Sequence, residues 1–388
     1  MGSFMPFAVY LLGLAVFAQG TSEFMLSGLI PAIATDLRVS VPAAGLLTSG
    51  FAVGMVVGAP LMAALSLRWP RRRALAIFLT TFVAVHIVGA LTTSYEVLLA
   101  TRVVGALANA GFWATALATA NAMVPSNAKA RATSIVVGGV TVACVAGVPA
   151  GAWLGQQWGW RSAFWAVALV SLPPLIAILR TIPAGRPDIA ESGVRGELRS
   201  LRNPRLLVVL LVAALVNGAT FCAFTYLAPL FTTDTGLSEG WVPALLALFG
   251  VGSFLGVTIG GRIGDTHPVP LLATGMVALI VGWSLFAMTA GNTFAVIVLV
   301  LVQGTLAFAT GSTLISRVFY LAEEAPTLAG GFATAAFNVG AAVGPWLGGI
   351  AIGTGPGFRA PLWVSAALMV AAFAVALAAQ GVRKRVRQ

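Results

Sequence analysis

Charge is what this sequence has least of. Asp, Glu, Lys and Arg together make up 9% of its 388 residues, where a typical water-soluble domain carries about a quarter. A soluble fold of this length cannot cover its surface with so few charges, so that class is excluded. Cysteine is scarce as well. Cys144 and Cys222 both lie inside apolar segments, read as small core residues, and imply no disulfide. Catalytic signatures are missing: there is no His-Glu-x-x-His, no Gly-x-Ser-x-Gly and no Walker A loop. Gly250-x-Gly252-x-x-x-Gly256 misses the spacing of a nucleotide loop and sits in an apolar run. The two histidines are far apart and no metal ligands cluster. The chain is therefore expected to be no enzyme and to hold no metal or cofactor. Without a nucleotide site, any work it does must draw on an ion gradient or on substrate exchange.

What the sequence has in abundance is hydrocarbon. Hydrophobic residues make up 59%, in successive stretches of the roughly 20 residues that a helix needs to cross a bilayer. Their limits predict twelve transmembrane helices over about 7–31, 43–66, 74–92, 97–123, 134–154, 161–180, 206–230, 242–264, 269–289, 294–319, 329–352 and 360–381. Ala32-Ile33-Ala34 resembles a signal-peptidase site. No basic residue precedes the first apolar stretch, which is far longer than a leader's apolar core, so it is read as a helix that stays in the chain. The longest polar gap, 183–205, is the natural linker, dividing the chain into bundles at 1–182 and 206–388. The net charge of +11 does not imply a nucleic-acid partner, because the basic residues sit in short loops between apolar runs. With the N-terminus inside, cytoplasmic segments collect 18 of the 22 Lys and Arg, while outer loops receive only Arg38, Arg161 and Arg359. That bias places both termini in the cytoplasm.

Charge inside a span costs free energy and so carries information. Glu23 lies in the outer half of the first helix, within Gln19-Gly20-Thr21-Ser22-Glu23. Burial disfavours its charged form, which suits it to carry a proton. The plainer reading is a static hydrogen bond to a neighbouring helix. Arg102 in the fourth helix lies at a similar depth, able to pair or compete with Glu23, or to snorkel to the outer interface. His86 in the third helix can titrate near neutrality or serve as a satisfied hydrogen-bonding residue. The amides of Asn109, Asn121, Asn217, Gln303 and Asn338 must find partners within the membrane, lining a cavity or joining helices. Asp265, at the inner end of the eighth helix, can pair with a cytoplasmic arginine as part of an inner gate.

The halves repeat weakly. Gly54 and Gly58 recur 198 residues later as Gly252 and Gly256, and Gly159-Trp160-Arg161 recurs as Gly357-Phe358-Arg359. Two parallel six-helix halves are the architecture of major facilitator transporters. Arg102-Val103-Val104-Gly105 is similar to the arginine-glycine motif of the drug:H+ antiporters of that superfamily. Gly139 through Gly147-Val148-Pro149-Ala150-Gly151 resembles their antiporter motif, and Gly340-x-x-x-Gly344-Pro345-x-x-Gly348-Gly349 looks like a second copy. The usual Gly-x-Leu-Ala-Asp-Arg loop after the second helix is altered to Leu67-Arg68-Trp69-Pro70-Arg71-Arg72-Arg73, whereas Gly261-Arg262-Ile263-Gly264-Asp265 keeps more of it. The stretches Phe17 to Pro31, Leu107 to Phe112 and Asn217 to Cys222 resemble bacterial chloramphenicol-resistance exporters.

The resemblance implies an all-α major facilitator fold in the bacterial inner membrane, multi-pass and monomeric. It implies a proton-coupled antiporter that exports chloramphenicol or related amphenicols by alternating access. Protons, drug and membrane lipid are the expected partners. Glu23 and Arg102 would couple the proton. Phe17, Gln19, Glu23, Asn109, Trp113, Asn217, Phe221, Tyr226 and Asn338 would bind substrate. Gly147, Pro149, Gly151, Asp265, Gly344 and Pro345 would serve gating, with the Gly-Pro helices as surfaces on which the halves rock. An exporter of sugars or purine nucleosides is the same-fold alternative. A membrane-embedded enzyme or a passive channel fits less well, the first for want of a catalytic cluster and the second because of the two-half repeat.

Overall fold

In hydrocarbon every backbone N–H and C=O must be satisfied within the chain, which leaves helices or closed barrels. The computed structural model describes residues 5–66, 69–125, 128–182, 203–263, 267–321, 326–355 and 357–385. Among these it is helical without strands, and twelve helices are long and apolar enough to cross a membrane. In the first half α1 runs Phe7–Phe24 and continues as Leu26–Asp36, and α2 is Val41–Ser66. Helix α3 is Arg71–Leu91, α4 is Tyr95–Ala122, α5 runs Lys129–Val142 and continues to Trp158, and α6 is Arg161–Thr181. In the second half α7 is Pro204–Thr225 with a short continuation, α8 is Val242–Ile263 and α9 is Pro268–Thr289. The last three are α10 (Thr293–Leu321), α11 (Pro326–Gly353) and α12 (Ala360–Arg385).

These bounds match the predicted spans to within about five residues. The main difference at a domain limit is at α7, which begins at Pro204, capped by Asn203 whose Oδ1 accepts from the Arg205 N–H at 3.0 Å. Proline is well suited to a first helical position, since its missing N–H would be unsatisfied there anyway. Pro204 and Arg205, expected in the linker, thus belong to the helix, while 183–202 lies outside the described residues.

Proline also recurs close to the breaks. Pro31 cannot donate to Ser27 nor Pro229 to Thr225, and α1 is interrupted at Met25 and α7 at Tyr226. These two prolines are again 198 residues apart. In α5 a single π-turn, Ala143–Gly147, contains the Val145 carbonyl that Pro149 cannot bond. Helix bends of this kind have such local causes.

Two six-helix bundles result. One apolar core is built from residues between Met5 and Ile182, the other from residues between Val212 and Ala372 together with Val148 and Ala152 of α5. Large apolar side chains such as Phe7, Met288 and Phe294 are exposed on the outside, where the surrounding medium is lipid. Among the described residues each bundle has one ion pair, both at the same end: Arg161 to Asp36 in the first, Arg359 to Asp234 at 2.9 Å in the second. Both partners of the second pair lie 198 residues beyond those of the first. Each pair ties the end of its bundle's first helix to the start of its sixth.

Glycine lets helices approach where a side chain would not fit. On α5, a Cβ at Gly139 would meet the Gly13 carbonyl of α1, one at Gly147 would meet Thr21 and one at Gly151 would meet Met25. On α11, Gly340 and Gly344 approach the α7 backbone at Ala214 and Gly218 in the same way. The Gly-Pro helices therefore pack these glycines against the first helix of their own half. The facing surface between halves at α5 is provided by Gly250 of α8, seated on the Cys144 carbonyl.

Candidate functional site

Arg102 is the largest charged side chain in the interior, 2% exposed. Its Nη1 donates to Ser22 Oγ and its Nη2 to the Ser22 carbonyl, both at 2.8 Å. The guanidinium also lies over the Phe51 ring of α2, 4.5 Å from its centroid, a geometry that attracts a cation to an aromatic face. Ser22 Oγ lies 2.6 Å from His86 Nε2, and His86 Nδ1 donates to the Phe82 carbonyl at 2.7 Å. The carbonyl only accepts and the guanidinium only donates. With Nδ1 as the protonated nitrogen of a neutral imidazole, the Ser22 hydroxyl donates to Nε2, and each contact has one donor and one acceptor. Four helices, α1 to α4, meet in this array.

Glu23 stands apart from it. It is half-buried, and the ion pairs among the described residues are those of Arg161 and Arg359, so its carboxylate is not paired with Arg102. The geometry of α1 is the reason. Neighbouring residues on a helix of 3.6 residues per turn point about 100° apart, and Ser22 rather than Glu23 is aimed at α3 and α4. The two charges remain close enough to interact electrostatically.

One turn before Glu23, on the same side of α1, Gln19 is fully buried with both amide atoms lacking a hydrogen-bond partner. One residue after it, Phe24 packs on Phe221 of α7 with ring centroids 5.7 Å apart, joined by Ala52 of α2 and Ala341 of α11. Position 23 of α1 thus lies next to a contact between the bundles. Among the contacts joining the bundles, Gln156 Nε2 to the Glu239 carbonyl at 2.5 Å and Gly349 on Pro42 lie toward the ends that carry the ion pairs.

The other residues singled out by sequence divide between this centre and plain helix packing. Asn109 Nδ2 donates to Met55 Sδ at 3.4 Å, leaving its Oδ1 unpartnered. Asn217 Nδ2 donates to the Phe337 carbonyl at 2.6 Å and so joins α7 to α11. Tyr226 is buried between Gly45 of α2 and Gly349 of α11, and its hydroxyl donates to the Pro345 carbonyl at 2.7 Å. Asn338 bonds back to Thr334 of its own helix at 2.9 Å. Phe17 and Trp113 are half-buried, Trp113 against the first-half core. Pro149 stands at the start of the α5 segment Val148–Trp158. Asp265 lies outside the described residues. Ser22 was not singled out. Its signal is only that it precedes an intramembrane acid, and its role depends on which way α1 is rotated.

Comparison with known proteins bears on the fold and the family. The family model described as Major Facilitator Superfamily matches residues 12–318 and 233–387. A chloramphenicol resistance protein from Streptomyces lividans is 54% identical over 375 residues, covering 96% of each chain. The inner membrane transport protein YdhP of Escherichia coli K12 is 35% identical, covering 89% of each. Among solved structures, a bacterial homologue of the human lysosomal transporter Spinster, inward-facing and unoccupied, superposes with a TM-score of 0.75 at 18% identity over 95% of this chain and 94% of that one. The nucleoside transporter NupG gives 0.76 at 14% identity over 95% and 98%. At these identities the structures speak for the fold alone.

Proposed function

This chain belongs to the Major Facilitator Superfamily and is a secondary transporter of the bacterial cell membrane, and from that premise we propose that it exports chloramphenicol or related amphenicols in exchange for protons. The substrate class is supported by the relative whose name is chloramphenicol resistance protein, similar over 96% of both chains. The observation that carries the mechanism is Glu23, half-buried and unpaired next to a contact between the bundles.

In the proposed cycle both termini and the linker between the bundles face the cytoplasm, following the positive-inside bias. The two bundles, the second beginning at Pro204 of α7, rock about the centre, and the protein binds and transports as a monomer. An amphenicol is neutral and offers hydroxyl and amide donors, which an ionised carboxylate in a low-dielectric site accepts strongly. Its aromatic ring suits the Phe24–Phe221 pair, and the unpartnered Gln19 amide can bond its polar groups. With the centre open outward, protonation of Glu23 weakens the interaction and releases drug. Facing inward, the carboxyl yields its proton to the cytoplasm and accepts drug again. Arg102, held by Ser22, favours the ionised form by its charge and tunes this exchange. One proton exchanged for one neutral drug makes transport electrogenic.

Proteoliposomes with an imposed pH gradient and radiolabelled chloramphenicol test the reading. Glu23→Gln mimics the protonated carboxyl, so active accumulation should fall to the background of empty liposomes while the protein remains monodisperse. Accumulation against a gradient at the wild-type rate by that variant would remove the coupling role from Glu23. No chloramphenicol movement by the wild type would remove the substrate.

A further inference from the structure

A cavity of about 680 Å³ opens between α7, α9, α10 and α12, away from the centre where the bundles meet. It lies where α7 begins and α10 ends, since both Pro204 and Leu321 line it. Its walls are hydrocarbon and aromatic, with Val212, Leu272, Met276, Leu314 and Phe373 among them. The charged residues that line it are two arginines, Arg205 and Arg317. Arg205 is exposed and Arg317 half-buried, and neither takes part in the ion pairs found among the described residues.

Guanidinium groups without an acidic partner among the described residues, beside an apolar cavity in a protein surrounded by lipid, ask for a ligand of two chemistries. A small soluble anion matches the arginines and wastes the apolar walls. A neutral drug matches the walls and leaves two cations without a counter-charge. An anionic headgroup with attached hydrocarbon matches both, and guanidinium recognises phosphate by paired hydrogen bonds as well as by charge. Arg205 also sits in the first turn of α7, where the exposed N–H groups and helix dipole favour an anion.

We propose that this cavity is a binding site for one anionic diacyl phospholipid from the leaflet at the linker end. Its phosphate lies on Arg205 and Arg317, and an acyl chain runs between α9 and α12 against Leu272 and Phe373. The site is independent of the transported substrate. An occupant there braces the second bundle where α7 begins and α10 ends.

The test uses the full chain, purified in a neutral detergent and titrated with dioleoylphosphatidylglycerol. Thermal unfolding and native mass spectrometry are read together. The wild type should gain stability and retain one lipid. Dioleoylphosphatidylcholine, oleate and inorganic phosphate should do neither. Each arginine beside an anionic headgroup is worth about fivefold in affinity, so Arg205→Gln with Arg317→Gln should weaken binding about 30-fold. Ala376→Trp keeps both arginines and fills the cavity, and it should lose the lipid as well. If the double variant is not monodisperse, Arg205→Gln alone, at an exposed position, carries the test with about a fivefold loss. Equal retention of phosphatidylglycerol by wild type and the arginine variants would overturn the site. A shift as large with oleate or inorganic phosphate would overturn the phospholipid.

Discussion

The two bundles share a skeleton and differ in chemistry. At a constant offset of 198 residues the second repeats the first helix's proline, Pro31 and Pro229, and the ion pair at the bundle end. The polar centre is not repeated. Glu23 corresponds to Phe221, Arg102 to Val300, Ser22 to Thr220 and His86 to Ser284. Thr220 bonds the Val216 carbonyl of its own helix at 3.0 Å and Ser284 that of Ile280 at 2.8 Å, while Val300 is buried among apolar neighbours. Positions that join three helices by hydrogen bonds in the first half carry, in the second, two hydroxyls that close back on their own helices and one apolar valine. Duplication preserves what shapes a helix, because each half needs the same bends and the same end clamp. A buried charge is costly, and one such centre is enough for a shared site between the halves.

The comparison is broken most severely at Arg102. Arg102→Gln leaves the Ser22 hydroxyl and carbonyl, both buried, without their charged donor. Each unsatisfied buried group costs about 1–3 kcal/mol. The expected result is a lower unfolding midpoint in detergent, with transport in proteoliposomes falling to background. A variant with wild-type stability and transport would mean that the guanidinium is not held as the structure has it.

Ser22→Ala against Thr220→Ala sharpens the contrast. The serine change strips Arg102 of one acceptor and His86 of its donor, for about 1–2 kcal/mol. The threonine change removes a bond to its own helix and should cost about 0.5 kcal/mol or less, in keeping with hydrogen bonds inside membranes generally. Equal losses in parallel thermal melts would erase the distinction between the halves.

The smallest effect tests where the halves should agree. Asp36→Asn and Asp234→Asn each break a partly exposed ion pair, worth about 0.2–1 kcal/mol. The two shifts should match within error and shrink at high salt. A much larger loss from one would show that the end clamps are not equivalent.

How much of this was legible in the sequence follows from what each feature depends on. The spans were readable because twenty apolar residues must be helical in lipid, whatever packs beside them. Helix α5 begins five residues before its expected start, since Lys129 and Arg131 break the apolar run but not the helix. Arg102 and Glu23 stood out because charge in a span is rare, and their similar depth was readable from residue counts. Their lack of pairing was not, because depth along a helix says nothing of rotation about it. Tyr226 and Asn217 were expected at a substrate site, and the structure places their polar atoms on Pro345 and Phe337 of α11. Nothing local distinguishes an amide that binds a ligand from one that bonds a neighbouring helix.

The sequence by itself determined the class of molecule, the number of spans and the residues too costly to bury without purpose. All of these follow from hydrophobicity and backbone chemistry along a single helix. Only the tertiary structure decided that Arg102 is held by Ser22 and backed by His86 and Phe51, that Glu23 is left unpaired beside Phe24 and Phe221, and that the ion pairs of the two halves are copies. Those outcomes depend on the rotation and close approach of whole helices. Such approach is fixed by many small contacts at once, at glycines such as Gly147 and Gly344, and no stretch of sequence states it alone.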